Sequence, residues 1–130
     1  MKKLLTVIVL LLVGVTTSVR ADDPVKGALK FDNLVHDFGE VAYGSDVSHV
    51  FTFKNVSKQP VAIKNVTASC GCTTPSWTKE PVMPNKGGNI TAKYDSTRPG
   101  AFTKTLTVDV NGETILLTIK GTVKDRPADK

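Results

Sequence analysis

The sequence predicts an all-β fold, an antiparallel β-sandwich of about seven strands, and three observations support this prediction. Apolar and polar residues alternate with a period of two along most of the chain. No segment shows the repeat of apolar positions every three to four residues that marks an amphipathic helix. Turn-forming residues separate the alternating segments at the spacing typical of a sandwich, namely at Gly39, Gly44, residues 57–60, residues 84–88 and residues 98–100.

The predicted strands follow from these alternations in chain order. Val47 and Phe51 belong to the first clear strand. Asn111-Gly112 is expected to join the last two strands as a tight hairpin, because this dipeptide readily takes positive φ at both positions. The alternating segments are residues 47–54, 61–69, 90–94, 102–110 and 115–119. Their apolar faces predict a core that contains Phe51, Phe53, Ile63, Leu106, Val108, Leu117 and Ile119.

The first 21 residues predict a cleaved secretory signal peptide. Lys2 and Lys3 form a positive start, residues 4–13 are apolar, and Ala21 is the small residue that signal peptidase requires. This apolar run is shorter than the roughly 20 residues of a membrane-spanning helix, so we expect no membrane insertion after cleavage. The sequence thus predicts a signal peptide over residues 1–21, a single domain over residues 22–130, and a periplasmic or secreted location.

The charge pattern argues against nucleic-acid binding. The whole chain has a formal charge of +5, but removal of residues 1–21 leaves 14 basic and 12 acidic residues, a net charge of +2. The remaining charges alternate in sign and form no basic block, whereas nucleic-acid binders concentrate positive charge on one face.

Several motifs resemble those of a secreted bacterial family, domain of unknown function 1573. They are Val35-His36-Asp37-Phe38-Gly39-Glu40-Val41, Phe51-Thr52-Phe53-Lys54-Asn55, Ser69-Cys70-Gly71-Cys72-Thr73-Thr74-Pro75, and Pro84 before Gly87-Gly88. The chain departs from the family pattern at Asn85, where such proteins usually have glycine after the proline, which concerns the geometry of that turn. The resemblance implies an immunoglobulin-like sandwich, similar to the major sperm protein and Hydin type, that binds rather than catalyses.

The only cysteines, Cys70 and Cys72, form a Cys-Gly-Cys motif that has several interpretations. In an extended strand their Cα atoms would lie about 6.6 Å apart, near the upper limit for a disulfide. Gly71 is expected to permit the kink that brings the sulfurs together in a strained, easily reduced bridge. One cysteine would then act as the attacking thiolate and the other as the resolving thiol. The alternatives are a structural role, since free cysteine is among the most buried residue types, and a posttranslational or intermolecular link.

Copper binding is a further hypothesis for the same pair. Two thiolates suit Cu(I), and Met83 could add a thioether, so the candidate set is Cys70, Cys72 and Met83. We expect no resident cofactor otherwise. His36 and His49 lie on separate predicted strands without the paired spacing of a shared site, so each is expected to be a packed or surface residue.

No group of residues in the sequence indicates a catalytic site, which favours a noncatalytic protein. Trp77, the only tryptophan, lies in a segment over residues 73–84 that we expect to be a loop, and it is a candidate anchor for a partner or a plug for one end of the sandwich. We therefore expect an exported interaction module of the bacterial envelope that binds a protein, or alternatively a surface polymer. The second hypothesis is a periplasmic thiol-redox or Cu(I)-handling protein centred on Cys70 and Cys72.

Overall fold

The computed structural model describes residues 27–110 and 112–128, and every regular element in these ranges is a strand. The predicted signal peptide, residues 1–21, lies outside them. The eight strands are β1 (Leu29–Phe31), β2 (Val35–Val41), β3 (Val47–Asn55), β4 (Asn65–Ala68), β5 (Thr73–Trp77), β6 (Gly87–Tyr94), β7 (Gly100–Val110) and β8 (Glu113–Val123). No helix among the described residues is long and apolar enough to cross a membrane.

The strands form two four-stranded sheets, with the order β1-β3-β6-β5 in the first sheet and β2-β8-β7-β4 in the second. This confirms the predicted all-β, immunoglobulin-like sandwich, with eight strands rather than about seven. All pairings are antiparallel except that of β2 with β8, which is parallel. The chain crosses from the first sheet to the second between β1 and β2. In the second sheet β2 lies beside β8, a strand far from it in sequence, so this pair is not joined by a hairpin.

Alternating apolar residues from both sheets fill the core. All seven residues predicted to be buried are buried, with at most 5% of their surface exposed. Leu106 and Leu117 face each other in the register of β7 and β8, and both are fully buried. The alternation of apolar and polar residues therefore identifies the correct face of these strands.

Two predicted segments differ from the structure. The segment 61–69 forms a strand only over β4, while Val61 makes an isolated bridge to Val82. Residues 73–77 were expected in a loop, and this prediction is wrong because they form β5. Pro75 lies within β5, at the edge of the first sheet, where a residue without an N–H is tolerated.

The predicted hairpin joins β7 and β8. Val110 pairs with Glu113, which leaves a connection of two residues, and Gly112 has a φ of 79°. A positive φ at this position is what a tight two-residue hairpin requires. Asn111 lies outside the described residues.

One end of the sandwich is organised around a buried asparagine. The side chain of Asn55 is fully buried, and its Nδ2 donates to the carbonyls of Gln59 (2.7 Å) and Val82 (2.8 Å). Its Oδ1 accepts from the N–H (2.9 Å) and the hydroxyl (2.7 Å) of Ser57. This amide therefore joins the loops at residues 57–59 and 82–86 to β3; we call these residues together with Asn55 the asparagine end.

Asn85 occupies a turn whose backbone lies in the left-handed region, which glycine adopts most readily. Asn85 has a φ of 63°, and no other non-glycine residue in the described ranges has a positive φ. Its N–H donates to the Asn55 carbonyl over 2.9 Å. Asparagine tolerates the left-handed region better than most residues do, so the departure from glycine leaves the turn intact.

Candidate functional site

Cys70 and Cys72 lie in the connection between β4 and β5, at the opposite end of the sandwich from Asn55. They form a disulfide, with their Cα atoms 5.3 Å apart. The separation is shorter than that of an extended strand because residues 70–72 follow a turn, in which the N–H of Thr73 donates to the carbonyl of Cys70 over 3.4 Å. We call residues 70–73 and 93–95 the cysteine end.

The expected role of Gly71 needs correction. The φ of Gly71 lies outside the left-handed region, unlike that of five other glycines in the described ranges. A Cβ atom placed on Gly71 meets nothing within 4 Å. The turn itself therefore brings the two cysteines together, and the special conformational freedom of glycine is not what closes the bridge.

The two sulfurs differ in exposure. Cys70 is half-buried, whereas Cys72 is 6% exposed and belongs to the hydrophobic core. The N–H of Cys72 donates to the Sγ of Cys70 over 3.3 Å. The hydroxyl of Thr73, a buried residue, lies 3.9 Å from one sulfur and 4.0 Å from the other. Polar hydrogens are thus available to both sulfurs.

A shallow groove of about 320 Å³ opens beside Cys72. Its lining includes Thr74 from β5 and Lys93 and Tyr94 from β6. The N–H of Asp95 donates to the Cys72 carbonyl over 2.8 Å. This bond ties residues 69–72, the connection between β4 and β5 that we call the cysteine loop, to the end of β6. The hydroxyl and N–H of Thr97 donate to the Asp95 carboxylate and lower its pKa, so this rim residue is negative at neutral pH.

Trp77 lies at the last position of β5, not between turn residues as expected. It pairs with Ile90 in the register of β6, and its ring is half-buried against the core. The ammonium of Lys79 lies 3.2 Å from the ring centroid, a cation–π contact. The four-residue step along β5 from Thr73 places Trp77 about 13 Å from the cysteine end. Its role as a partner anchor stays a prediction.

The structure does not bring the proposed copper ligands together. Met83 belongs to the asparagine end, where its carbonyl accepts from the N–H of Lys86. The length of β6, about 20 Å, separates that end from Thr73, which pairs with Tyr94. The disulfide also occupies both sulfurs of Cys70 and Cys72. Met83 is therefore not part of a site with the cysteines.

The two histidines are close together, which the sequence spacing did not predict. The ring centroids of His36 on β2 and His49 on β3 are 3.6 Å apart, with an angle of 7° between the planes. The nitrogen lone pairs of parallel rings do not converge on one ion. Among residues 27–110 and 112–128 there is no group of three or more His, Cys, Asp or Glu side chains that could hold a metal. Burial and the neighbouring His36 lower the pKa of His49.

A second surface, which the sequence analysis missed, lies on the outer face of the second sheet. Val35 and Leu116 are each more than half exposed. Val35 pairs with Thr118, two residues after Leu116 on the same face, so these apolar side chains are neighbours across β2 and β8. The consecutive pair Leu116-Leu117 was the available signal, since strict alternation places one of two adjacent apolar residues on the outer face.

The chain belongs to the family described as "Protein of unknown function (DUF1573)", whose profile matches residues 29–123. The resemblance noted in the sequence is thereby confirmed. No curated protein matches the chain significantly.

Solved structures with similar folds show the architecture. A PapD-like domain of human CEP192 has a TM-score of 0.66 at 9% identity, and the match covers 96% of this chain and 100% of that domain. A protein of unknown function from Porphyromonas gingivalis has a TM-score of 0.65 at 13% identity, with 73% of this chain and 46% of that one covered. The VesB protease of Vibrio cholerae has a TM-score of 0.56 at 18% identity, with 76% and 32% covered. The chain thus spans about half the length of the Porphyromonas gingivalis protein and about a third of the length of the protease. These likenesses concern the fold alone.

Proposed function

We propose that this chain is an exported, noncatalytic binding domain of the bacterial envelope, which binds a partner protein through the outer face of its second sheet. The signal-like residues 1–21 support export, and the disulfide is of a kind that persists in oxidising compartments. The family and the immunoglobulin-like fold support an interaction role, because such sandwiches commonly present faces, edges and loops to partners.

The observation that carries the proposal is the uncharged centre of this face. Its outward residues on the three adjacent strands β2, β8 and β7 are Val35, Leu116, Thr118, Thr105 and Thr107. Charged side chains border this centre along the strands, with Asp37 and Lys120 at one end and Asp109 at the other. Depletion of charge at the centre with a polar rim is the composition of protein–protein interfaces. The expected partner therefore presents a weakly charged, partly apolar surface.

The test compares two exposed apolar residues on opposite outer faces. Leu116 is 55% exposed on the second sheet, and Val50 is 48% exposed on the first sheet. A photoreactive amino acid is placed at either position of the full chain in a bacterium that naturally produces it. We expect position 116 to crosslink one envelope protein that position 50 does not. With that protein purified, Leu116→Ser should weaken binding by about tenfold or more, and Val50→Ser by less than about twofold.

Three outcomes would overturn this proposal. Crosslinks to polysaccharide alone would replace the protein partner by a surface polymer. Crosslinks only between copies of the chain would make this face a self-association surface. Equal effects of Leu116→Ser and Val50→Ser on binding would move the interface away from the second sheet.

A further inference from the structure

We propose that the Cys70–Cys72 bridge is a thiol–disulfide exchange site, in which Cys70 forms the mixed disulfide with the substrate and Cys72 is the leaving thiolate. The substrate class is a pair of thiols in an extended segment of another exported protein. This activity is additional to the binding function proposed above and does not depend on it.

The cysteine loop is held without the bridge. The N–H of Ser69 donates to the Thr105 carbonyl over 2.9 Å, and the N–H of Asp95 donates to the Cys72 carbonyl over 2.8 Å. These contacts fix the loop on both sides of the disulfide. Since the bridge closes a segment of only three residues, it also restricts the unfolded chain very little. Opening the bridge therefore leaves its surroundings in place.

Access selects which sulfur is attacked. The rate of thiol–disulfide exchange depends on the access of an incoming thiolate to the sulfur that it attacks. Cys70 is half-buried, whereas Cys72 is 6% exposed and packs on the hydrophobic core. The more exposed residue is Cys70, which assigns the mixed disulfide to Cys70 and the leaving thiolate to Cys72.

The surroundings of the sulfurs favour thiolates once the bridge opens. The N–H of Cys72 points at the Sγ of Cys70, and the Thr73 hydroxyl lies within 4.0 Å of both sulfurs. Lys93 and Asp95 both line the groove beside Cys72 and carry opposite charges, which offset each other. The hydrogen bonds stabilise a thiolate relative to a thiol, and the thiolate is the reactive species.

The position of the groove indicates an extended peptide as the substrate. The groove borders β5, the outermost strand of the first sheet, and among residues 27–110 and 112–128 no strand pairs with the outer side of β5. Along this edge the N–H of Thr73 already donates to the Cys70 carbonyl and Pro75 has no N–H, so an extended segment would pair mainly by donating its own N–H groups to the β5 carbonyls. A cysteine in that segment would lie next to the bridge.

The proposed exchange is balanced. A substrate thiolate attacks the Sγ of Cys70, the Cys70–Cys72 bond breaks, and its electron pair leaves on the Sγ of Cys72. The second substrate thiolate then attacks the substrate sulfur of the mixed disulfide, and Cys70 leaves as a thiolate. The substrate dithiol is oxidised to a disulfide by two electrons, which reduce the Cys70–Cys72 pair to two thiolates in protonation equilibrium with water.

The first experiment mixes the oxidised protein with a reduced synthetic peptide that contains two cysteines. Mass spectrometry should show that the peptide loses two hydrogens while the protein gains two alkylatable thiols, in equal amounts. Circular dichroism should show an unchanged fold. A bridge that remains closed in the folded protein over a range of peptide concentrations would overturn the proposal.

The second experiment assigns the two cysteines. Cys72→Ser and Cys70→Ser each leave a single thiol, and the probe is the same peptide in its disulfide form. We expect Cys72→Ser to form the mixed disulfide at least about tenfold faster than Cys70→Ser, because the thiol of Cys70 is the more accessible one. Equal rates, or a faster reaction of Cys70→Ser, would contradict the assignment.

The third experiment tests Thr73 as a positioning residue. In the Cys72→Ser background, Thr73→Val should move the pH midpoint of the Cys70 reaction upward, because the thiolate loses a hydroxyl partner. Thr52→Val changes an exposed threonine on β3, outside the groove, and should leave the midpoint unchanged. Equal midpoints for both variants would show that the Thr73 hydroxyl has no part in the exchange.

Discussion

The asparagine end and the cysteine end close the same sandwich by different means. At the asparagine end, one buried amide makes four hydrogen bonds that join two loops to β3. At the cysteine end, a covalent bridge spans only three residues, beside an open groove. A buried polar group must keep its partners, whereas a bridge across so few residues constrains the unfolded chain little. The comparison indicates that the fold depends on the first end, while the second is free to undergo chemistry.

The largest effect should come from Asn55→Ala. The substitution removes four hydrogen bonds and leaves the buried carbonyl of Val82 without its side-chain partner, so we expect a loss of about 3–5 kcal/mol in the free energy of unfolding. Asn65 on β4 is the matched control, since it is exposed and its Nδ2 donates only to the Thr67 hydroxyl. Asn65→Ala should cost less than about 0.5 kcal/mol in urea denaturation. Equal losses for the two variants would remove the distinction between the ends.

A smaller effect is expected at Asn85, which shapes the turn of the asparagine end. Asn85→Ala should cost about 1 kcal/mol, because alanine lacks the tolerance of asparagine for a φ of 63°. Asn85→Gly should be neutral or slightly stabilising, since glycine adopts this conformation without a steric cost. Thermal unfolding of both variants measures the difference. A loss in Asn85→Gly as large as that in Asn85→Ala would show that the side chain matters rather than the backbone.

The histidine pair should make stability depend on pH independently of either end. The folded pKa of His49 is lowered, mainly by burial and then by His36, so the unfolded chain binds the proton more readily. The stability contribution is complete above the ordinary histidine pKa of about 6.5 and is lost as the pH falls below it. The thermal midpoint should therefore fall between pH 7.5 and pH 5. A fall of the same size in His49→Phe would exclude this cause.

Loss of the bridge should cost much less than Asn55→Ala. Cys70→Ser combined with Cys72→Ser should change the free energy of unfolding by less than about 2 kcal/mol, since cross-linking a three-residue loop stabilises by about 1.6 kcal/mol. Calorimetry of the double variant measures this change. A loss comparable to that in Asn55→Ala would make the cysteine end structural.

The alternation of apolar residues predicted the strands that have one buried and one exposed face. It did not predict contacts between segments that are distant in the sequence. Leu117 and Phe51 were assigned to the core because burial on one face leaves a local pattern. The stacking of His36 on His49 arises only when β2 crosses to the second sheet, and no local spacing encodes it. Pro75 and Trp77 suggested a loop because proline rarely occupies a strand, and only the edge position of β5 makes it acceptable.

For the site, the sequence identified the cysteine pair but not the asymmetry within it. Cys70 and Cys72 were singled out as the only cysteines, yet their unequal exposure depends on the turn at residues 70–72 and on its attachment to Asp95. The burial of Asn55 likewise depends on two loops that are distant in sequence. The identity of a residue indicates its chemistry, and the tertiary contacts decide its role.

Native-state amide hydrogen exchange of the oxidised and reduced protein tests most directly whether the two ends are independent. We predict that reduction speeds exchange only within the cysteine loop, at the N–H groups of Cys72 and Thr73, which bond to Cys70. Protection of the Ser57 and Val82 amides at the asparagine end should be unchanged. An equal loss of protection at both ends would contradict this account, because it would show that the bridge stabilises the whole fold.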